Sequence, residues 1–418
     1  MATPPLLHPS CHRTPEGLTV IAEHLPVDAV NFSLWVNAGS AVEDDAINGM
    51  AHFLEHMVFK GTEQLPEGEF ERQVEARGGV TNAVTSQDYT CFYVTVAPQD
   101  FTTIAPLQID LTLNARLDVE SFERERLVVL EEIRRSDDNV RRRLFRQAMT
   151  LGYAQLPYRR PVLGPAEVIQ SLAPEQMYDH HRSWYHPENI TAVVVGNLPV
   201  EQMVETVVQE FATPSRPPPL APVQSLEPPF VEITRQTVVD PKLTQARLVL
   251  LWRVPGIQQL SQTYTLDVLA RILGGGRNSR LVKSLREEKQ WVERISVSNL
   301  TQVWQGLFWI SAQVPPENLE RVEAEIVNHL RQLQDEALPG SELARRQRQL
   351  VNQHLFGTES PSSRAGLYGY HHAIAHNLEA GLLYPQHIQQ LTPADLQQAA
   401  QTYLSTTAYR VLKVLPKS

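Results

Sequence analysis

The run Ala51-His-Phe-Leu-Glu-His-Met57 places two imidazoles and a carboxylate, His52, Glu55 and His56, within five residues. On an α-helix, positions i, i+3 and i+4 project from one face, so the two rings converge on one point with the carboxylate between them. Two neutral ring nitrogens suit zinc. The carboxylate is too close along the helix to ligate comfortably, but it is well placed to take a proton from water that the metal activates. H-x-x-E-H is the inverted order of the H-E-x-x-H signature of zinc hydrolases. Five residues alone can also match by accident, and a third ligand is what turns a match into a site.

Such a ligand must come from another element. The run Arg124–Arg134 reads as a helix with an apolar stripe through Leu127, Leu130 and Ile133. Glu125 and Glu132 are two turns apart on it, so they share a face about 10.5 Å apart along the axis. From periodicity alone, a solvated Glu/Arg face is the ordinary reading of this run, and a metal-facing stretch is the other.

Similarity separates the two readings. The stretch Gly39–Thr62, with Ala51–Met57 inside it, resembles the active-site region of the pitrilysin/insulinase family of inverted-motif zinc peptidases. Within that family it is most similar to the half-length branch that contains the mitochondrial processing peptidase β subunit. Further similarity runs through Gly78–Thr85 and Tyr185–Asn189 and more loosely to the C-terminus. The resemblance implies that Glu132, 76 residues beyond His56, is the third ligand, with Glu131 its unmatched neighbour. It implies one Zn2+ per chain, held by His52, His56 and Glu132. It also implies that Glu55 and Glu125 serve catalysis, Glu55 as general base and Glu125 by orienting the groups around the metal. The residues matching the family's peptide-binding strand are Thr81, Asn82, Ala83 and Val84, where main-chain pairing would hold an extended substrate. For Asn82 a turn-forming role after Gly78-Gly79 is the alternative.

In the C-terminal half, Leu273-Gly-Gly-Gly-Arg-Asn-Ser-Arg-Leu281 resembles the family's glycine-rich run and lacks the G-K-[ST] ending of a phosphate loop. Family members with a complete site follow an Arg here with a Tyr seven residues on, and the pair stabilises the substrate carbonyl as it gains charge. This chain keeps the substrate-binding Arg, Arg286, and has Glu293 in place of the Tyr. An ionised carboxylate donates no hydrogen bond and opposes an oxyanion. A homologous partner chain bearing the Arg/Tyr pair is therefore expected, in a heterodimer first and a homodimer second, closing a chamber around peptide substrate. Two other functions stay in view: a non-catalytic core subunit of the same family, and a hydrolase of a non-peptide amide or ester.

The elements that position these residues follow from patterning. At 418 residues and 42% hydrophobic composition, the chain exceeds one core. A Pro-rich stretch divides it into an N-terminal zinc-binding domain (1–212), a linker (213–229) and a homologous C-terminal domain (230–418). Ile169-Gln-Ser-Leu-Ala-Pro174 and Ile388-Gln-Gln-Leu-Thr-Pro393 are similar at an offset of 219 residues, and the strands Ile190–Gly196 and Arg410–Leu415 close the two copies. Val20-Ile21, Asn31–Asn37 and Tyr89–Thr95 alternate like half-buried strands, while 48–60, 65–78, 98–116 and 120–150 read as helices. The expectation is α+β: two α/β sandwiches with helices on largely antiparallel sheets.

Net charge of −10 disfavours nucleic acid. No run of about 18 apolar residues and no export-type N-terminus occurs, so a cytoplasmic protein with no membrane span is expected. Cys11 and Cys91 read as free thiols. The adjacent pairs His180-His181 and His371-His372 make poor chelates. Glu43-Asp44-Asp45 and Asp137-Asp138 are either solvated charge or the lining of an acidic chamber.

Overall fold

The computed structural model describes residues 7–211 and 225–417. Its described residues fall into two units, one drawn from Met1–Ser136, Arg160–Val223 and Leu355–Leu382, the other from Asp137–Arg159, Gln224–His354 and Leu383–Ser418.

In the first unit one sheet contains β1 (Ser10–Arg13), β2 (Thr19–His24), β3 (Val30–Val36), β4 (Val80–Thr85), β5 (Thr90–Val96) and β6 (Ile190–Gly196), in the order β1-β2-β6-β3-β5-β4. β2 and β6 run parallel, and the other neighbours are antiparallel. Every residue of β3 and β6 is buried, and a strand buried on both faces needs cover on both. On one face lie α1 (Met50–Val58), α2 (Glu69–Glu75), α3 (Phe101–Leu113) and α4 (Val119–Asp138). Their Phe53, Phe70, Ile104 and Phe122 join Phe32, Leu34 and Val94 in one core. On the other face Trp35 meets the helix Pro361–Gly369 at Gly369, where a Cβ would lie 2.1 Å from Trp35 Nε1.

The second unit repeats this plan. β7 (Thr234–Val239), β8 (Ala246–Pro255), β9 (Arg294–Leu300), β10 (Gln305–Val314) and β11 (Arg410–Leu415) lie in the order β7-β11-β8-β10-β9, with β7 and β11 parallel and the rest antiparallel. Each strand has the place and direction of its counterpart in β2–β6, so the chain contains two α/β sandwiches of one topology. Here the helix Val140–Gly152 covers one face, its Ala148 packing with Val249, Leu251, Trp309 and Leu412.

The two units thus exchange equivalent helices. Residues 137–159 precede the Pro-rich stretch yet pack in the second unit, and 355–382 follow it yet pack in the first. A single cut at that stretch assigns both segments to the opposite half. Of the stretch itself, 212–224 lies outside the described residues, as does the extreme N-terminus, 1–6.

Local differences have local causes. The helix expected over 120–150 is two, because Asn139 takes extended backbone (φ −86, ψ 113) and its side chain accepts from the N–H groups of Arg141 and Arg142, starting a new helix. The helix expected over 65–78 shortens to Glu69–Glu75, with the left-handed Gly68 before it and Gly78 after it. The expected apolar stripe of α4 is displaced: Leu127 is exposed, and the buried positions include Phe122, Glu125, Val129 and Ile133. Cys11 is exposed and Cys91 buried, both as free thiols. Among the described residues no helix is long and apolar enough to cross a membrane.

Candidate metal centre

α1 begins without a side-chain cap from its own N-cap residue, Gly49, which is left-handed at φ 101. The cap comes from Glu43 instead. Its carboxylate accepts from Gly49 N at 2.8 Å, Ala51 N at 2.7 Å and Asn48 Nδ2 at 2.9 Å, satisfying orphan donors of the first turn. Burial pushes Glu43 up to about 7, against the pull of those hydrogen bonds and of Arg160. Arg160 also donates to the Glu43 carbonyl and to Asp45. Of the acidic run Glu43-Asp44-Asp45, the first residue is therefore neither solvated nor a chamber lining; it fixes the start of the helix that carries the site. Asp137 and Asp138 pair with Arg146 and Lys242 in the second unit.

The three expected ligands meet. His52 Nε2 and His56 Nε2 each lie 3.5 Å from Glu132 Oε2, and ligand atoms of all three residues fall within 4.8 Å of one another. A tetrahedral zinc ion with bonds of about 2.0–2.1 Å separates its donors by roughly 3.3 Å, so the two His–Glu spacings already fit and the widest pair, within 4.8 Å, would close by at most about 1.5 Å on binding. Two imidazoles and one carboxylate also form the three-ligand set that leaves a coordination position open. The neighbouring Glu131 is half-buried, and hydrogen bonds from Arg134 and Arg135 hold its carboxyl down to about 2 and engage it on the arginine side, away from the three ligands.

Glu125 stands behind the ligands. Its carboxylate is 2.8 Å from His56 Nδ1 and 2.7 Å from Lys60 Nζ. Burial disfavours its charge, but the hydrogen bonds from His56 and Lys60 win and hold the carboxyl below its usual range. For His56, burial opposes the charged ring, and Glu125 and Glu132 outweigh it, pushing the imidazole up to about 9. The pocket favours positive charge. Bonding Nδ1 to Glu125 also fixes the ring so that Nε2 faces Glu132.

Glu55 projects beside the ligands, with Oε2 accepting from Thr85 Oγ1 at 2.5 Å. Burial raises its pKa, partly offset by Thr85 and His56. Thr85 ends β4, the edge strand of the sheet, whose one neighbour is β5. Thr81, Asn82, Ala83 and Val84 all lie on that strand, and Val80 and Val84 are exposed. Asn82 is within the strand, not a turn; its Oδ1 accepts from Ala83 N. Arg286 belongs to the second unit, where its guanidinium pairs with Glu287, and Glu293 there accepts from Gln245 and Gln313. His180 and His181 are buried in the first unit, His181 against the Thr112 carbonyl, and His372 bonds Thr191.

Sequence reasoning missed Lys60, Thr85 and Glu43. Lys60 carried a signal, four residues beyond His56 and eight beyond His52. Thr85 and Glu43 carried none, since strand register and a loop bring them to α1.

The profile described as Insulinase (Peptidase family M16) matches residues 19–166, and that described as Peptidase M16 inactive domain matches residues 171–350. An uncharacterized zinc protease of Mycobacterium leprae is 33% identical over 287 residues, which cover 67% of this chain and 63% of that protein. An uncharacterized zinc protease of Mycobacterium tuberculosis is 29% identical over 401 residues, 94% of this chain and 90% of the relative. The crystal structure of a protease from Helicobacter pylori superposes with a TM-score of 0.92 at 25% identity, covering 98% of this chain and 100% of that one. With both halves matched to one family and the inverted zinc motif in the first, the chain belongs to the insulinase, or pitrilysin, family of peptidases.

Proposed function

We propose that the chain is the zinc-bearing subunit of an endopeptidase that cleaves extended peptides inside a chamber closed by a homologous partner. The observation that carries this reading is the convergence of His52, His56 and Glu132 beside Glu55, next to an open strand edge. His52, His56 and Glu132 would hold one zinc ion there, which would supply Lewis acidity to the scissile carbonyl and the attacking water. Glu55 takes the proton of that water at Oε1, since Oε2 is held by Thr85, and passes it to the leaving amine. Glu125 keeps His56 in the tautomer that presents Nε2. The backbone of β4 at Thr81–Val84 pairs with the peptide main chain, so affinity depends little on side chains.

Glu293 shapes the assembly. At the position where the family resemblance expects the Tyr that donates to the developing oxyanion, this chain has a carboxylate, and Arg286 is engaged by Glu287. A partner that supplies Arg and Tyr completes the site, which makes the working enzyme a heterodimer, and we place it in the cytoplasm. Co-expression with a homologue carrying that Arg/Tyr pair should yield a two-chain complex that cleaves unstructured peptides, with cleavage lost on chelation and restored by zinc. Glu55→Gln in the complex should retain zinc and abolish turnover. Wild-type rates from that variant, or equal cleavage by the purified chain alone, would contradict the reading.

A further inference from the structure

Thr85 is the last residue of β4, and its hydroxyl is the side-chain partner of Glu55 among the described residues. Proton counting fixes the direction of that bond. An ionised carboxylate has no proton to give, so the Thr85 hydroxyl donates to Glu55 Oε2 at 2.5 Å; Thr90, opposite Thr85 in the β4–β5 register, is 3.5 Å away and gives its own hydroxyl proton to the Ala38 carbonyl at 2.8 Å, so it does not supply the Thr85 contact to Glu55. A hydroxyl that donates to a carboxylate forms a short, charge-assisted bond, and the separation of 2.5 Å is of that kind. Glu55 otherwise hangs from α1 by several rotatable bonds, free to leave the position beside the ligands. The strand that would hold the peptide and the base that would act on it are thereby joined through one residue.

We infer that Thr85 is a positioning residue: its hydroxyl ties the base Glu55 to the peptide-docking edge, so that docking register also sets where the base stands. This rests on the peptidase reading, and it goes beyond it by giving β4 a part in aligning the base as well as in binding. The duller role for Thr85 is a β-branched residue that suits a strand. Two substitutions separate the roles because they remove opposite features. Thr85→Val keeps the branch and loses the hydroxyl; Thr85→Ser keeps the hydroxyl and loses the branch.

The test uses the full chain with its partner, loaded with zinc. For Thr85→Val the expected result is kcat about ten- to hundredfold lower, the loss of one charge-assisted hydrogen bond, with KM for a fluorogenic extended peptide and zinc content unchanged. Thr85→Ser should stay within about threefold of the parent. Crystals of the full chain carrying Thr85→Val should show the Glu55 carboxylate moved from its parental place, and those of Thr85→Ser should not. Parental kcat in Thr85→Val, or an unmoved Glu55 in its crystals, would overturn the inference. If the parent assembly cleaves no peptide, the peptidase reading fails by itself, and the position of Glu55 in the two crystal structures still decides this one.

Discussion

Replacing Glu125 by Gln should weaken zinc binding without unfolding the site. In the structure one oxygen of Glu125 meets His56 Nδ1 at 2.8 Å and the other meets Lys60 Nζ at 2.7 Å. Gln preserves shape and one acceptor, so the ring of His56 keeps a partner. Its amide nitrogen, however, is a donor facing the ammonium of Lys60, which is left with Glu67 at 3.3 Å. Loss of the negative charge lowers the electron supply to His56 and removes one charge from the shell around the metal. Outer partners of this kind are worth about 10–100-fold in metal affinity, or about 1.4–2.7 kcal/mol. The assay is zinc competition against a chelator of known affinity at fixed pH, with circular dichroism to confirm the fold. Binding by Glu125→Gln within twofold of the parent would refute the argument that Glu125 supports His56.

Other outcomes follow from packing and titration. Gly369→Ala should destabilise by roughly 1–3 kcal/mol, because its Cβ would lie 2.1 Å from the rigid indole of Trp35, whereas Gly366→Ala, with no atom within 4 Å, should stabilise by about 0.5–1 kcal/mol; denaturant midpoints compare them. Asn139→Ala removes the acceptor for two N–H groups and should cost about 1 kcal/mol in the same assay. Burial, and then the nearby His181, push His180 down to about 4, so between its ordinary 6.5 and 4 the unfolded chain binds more protons. Stability from keeping this ring neutral is present above pH 6.5 and lost as pH falls through 4; His180→Phe should flatten the pH dependence in that window by on the order of 2 kcal/mol, and an unchanged profile would sink the assignment.

The ligands on α1 were legible because five consecutive residues of one helix carry them, and local periodicity is what sequence displays best. Choosing Glu132 over Glu131 needed similarity to a family; the structure supplies the physical reason, since Arg134 and Arg135 draw Glu131 outward. Periodicity placed Leu127 inward because it treats Glu as solvated. Glu125 instead occupies a buried position of α4, made tolerable by His56 and Lys60 at its two oxygens. Thr85 reaches Glu55 through strand register, and Glu43 reaches α1 through a loop, neither of which leaves a trace in spacing. The exchange of the helices Val140–Gly152 and Pro361–Gly369 was equally hidden: it follows from sheets that need cover on both faces, and a linear cut at prolines cannot see which helix supplies it.

The central claim is that one divalent ion is held jointly by α1 and α4. Anomalous diffraction from crystals grown with zinc, collected on both sides of the zinc absorption edge, tests it most directly. One peak per chain should stand about 2.0–2.2 Å from His52 Nε2, His56 Nε2 and a Glu132 oxygen, and should vanish in Glu132→Ala or His56→Ala. A peak elsewhere, or one that survives loss of Glu132 with full occupancy, would contradict the account.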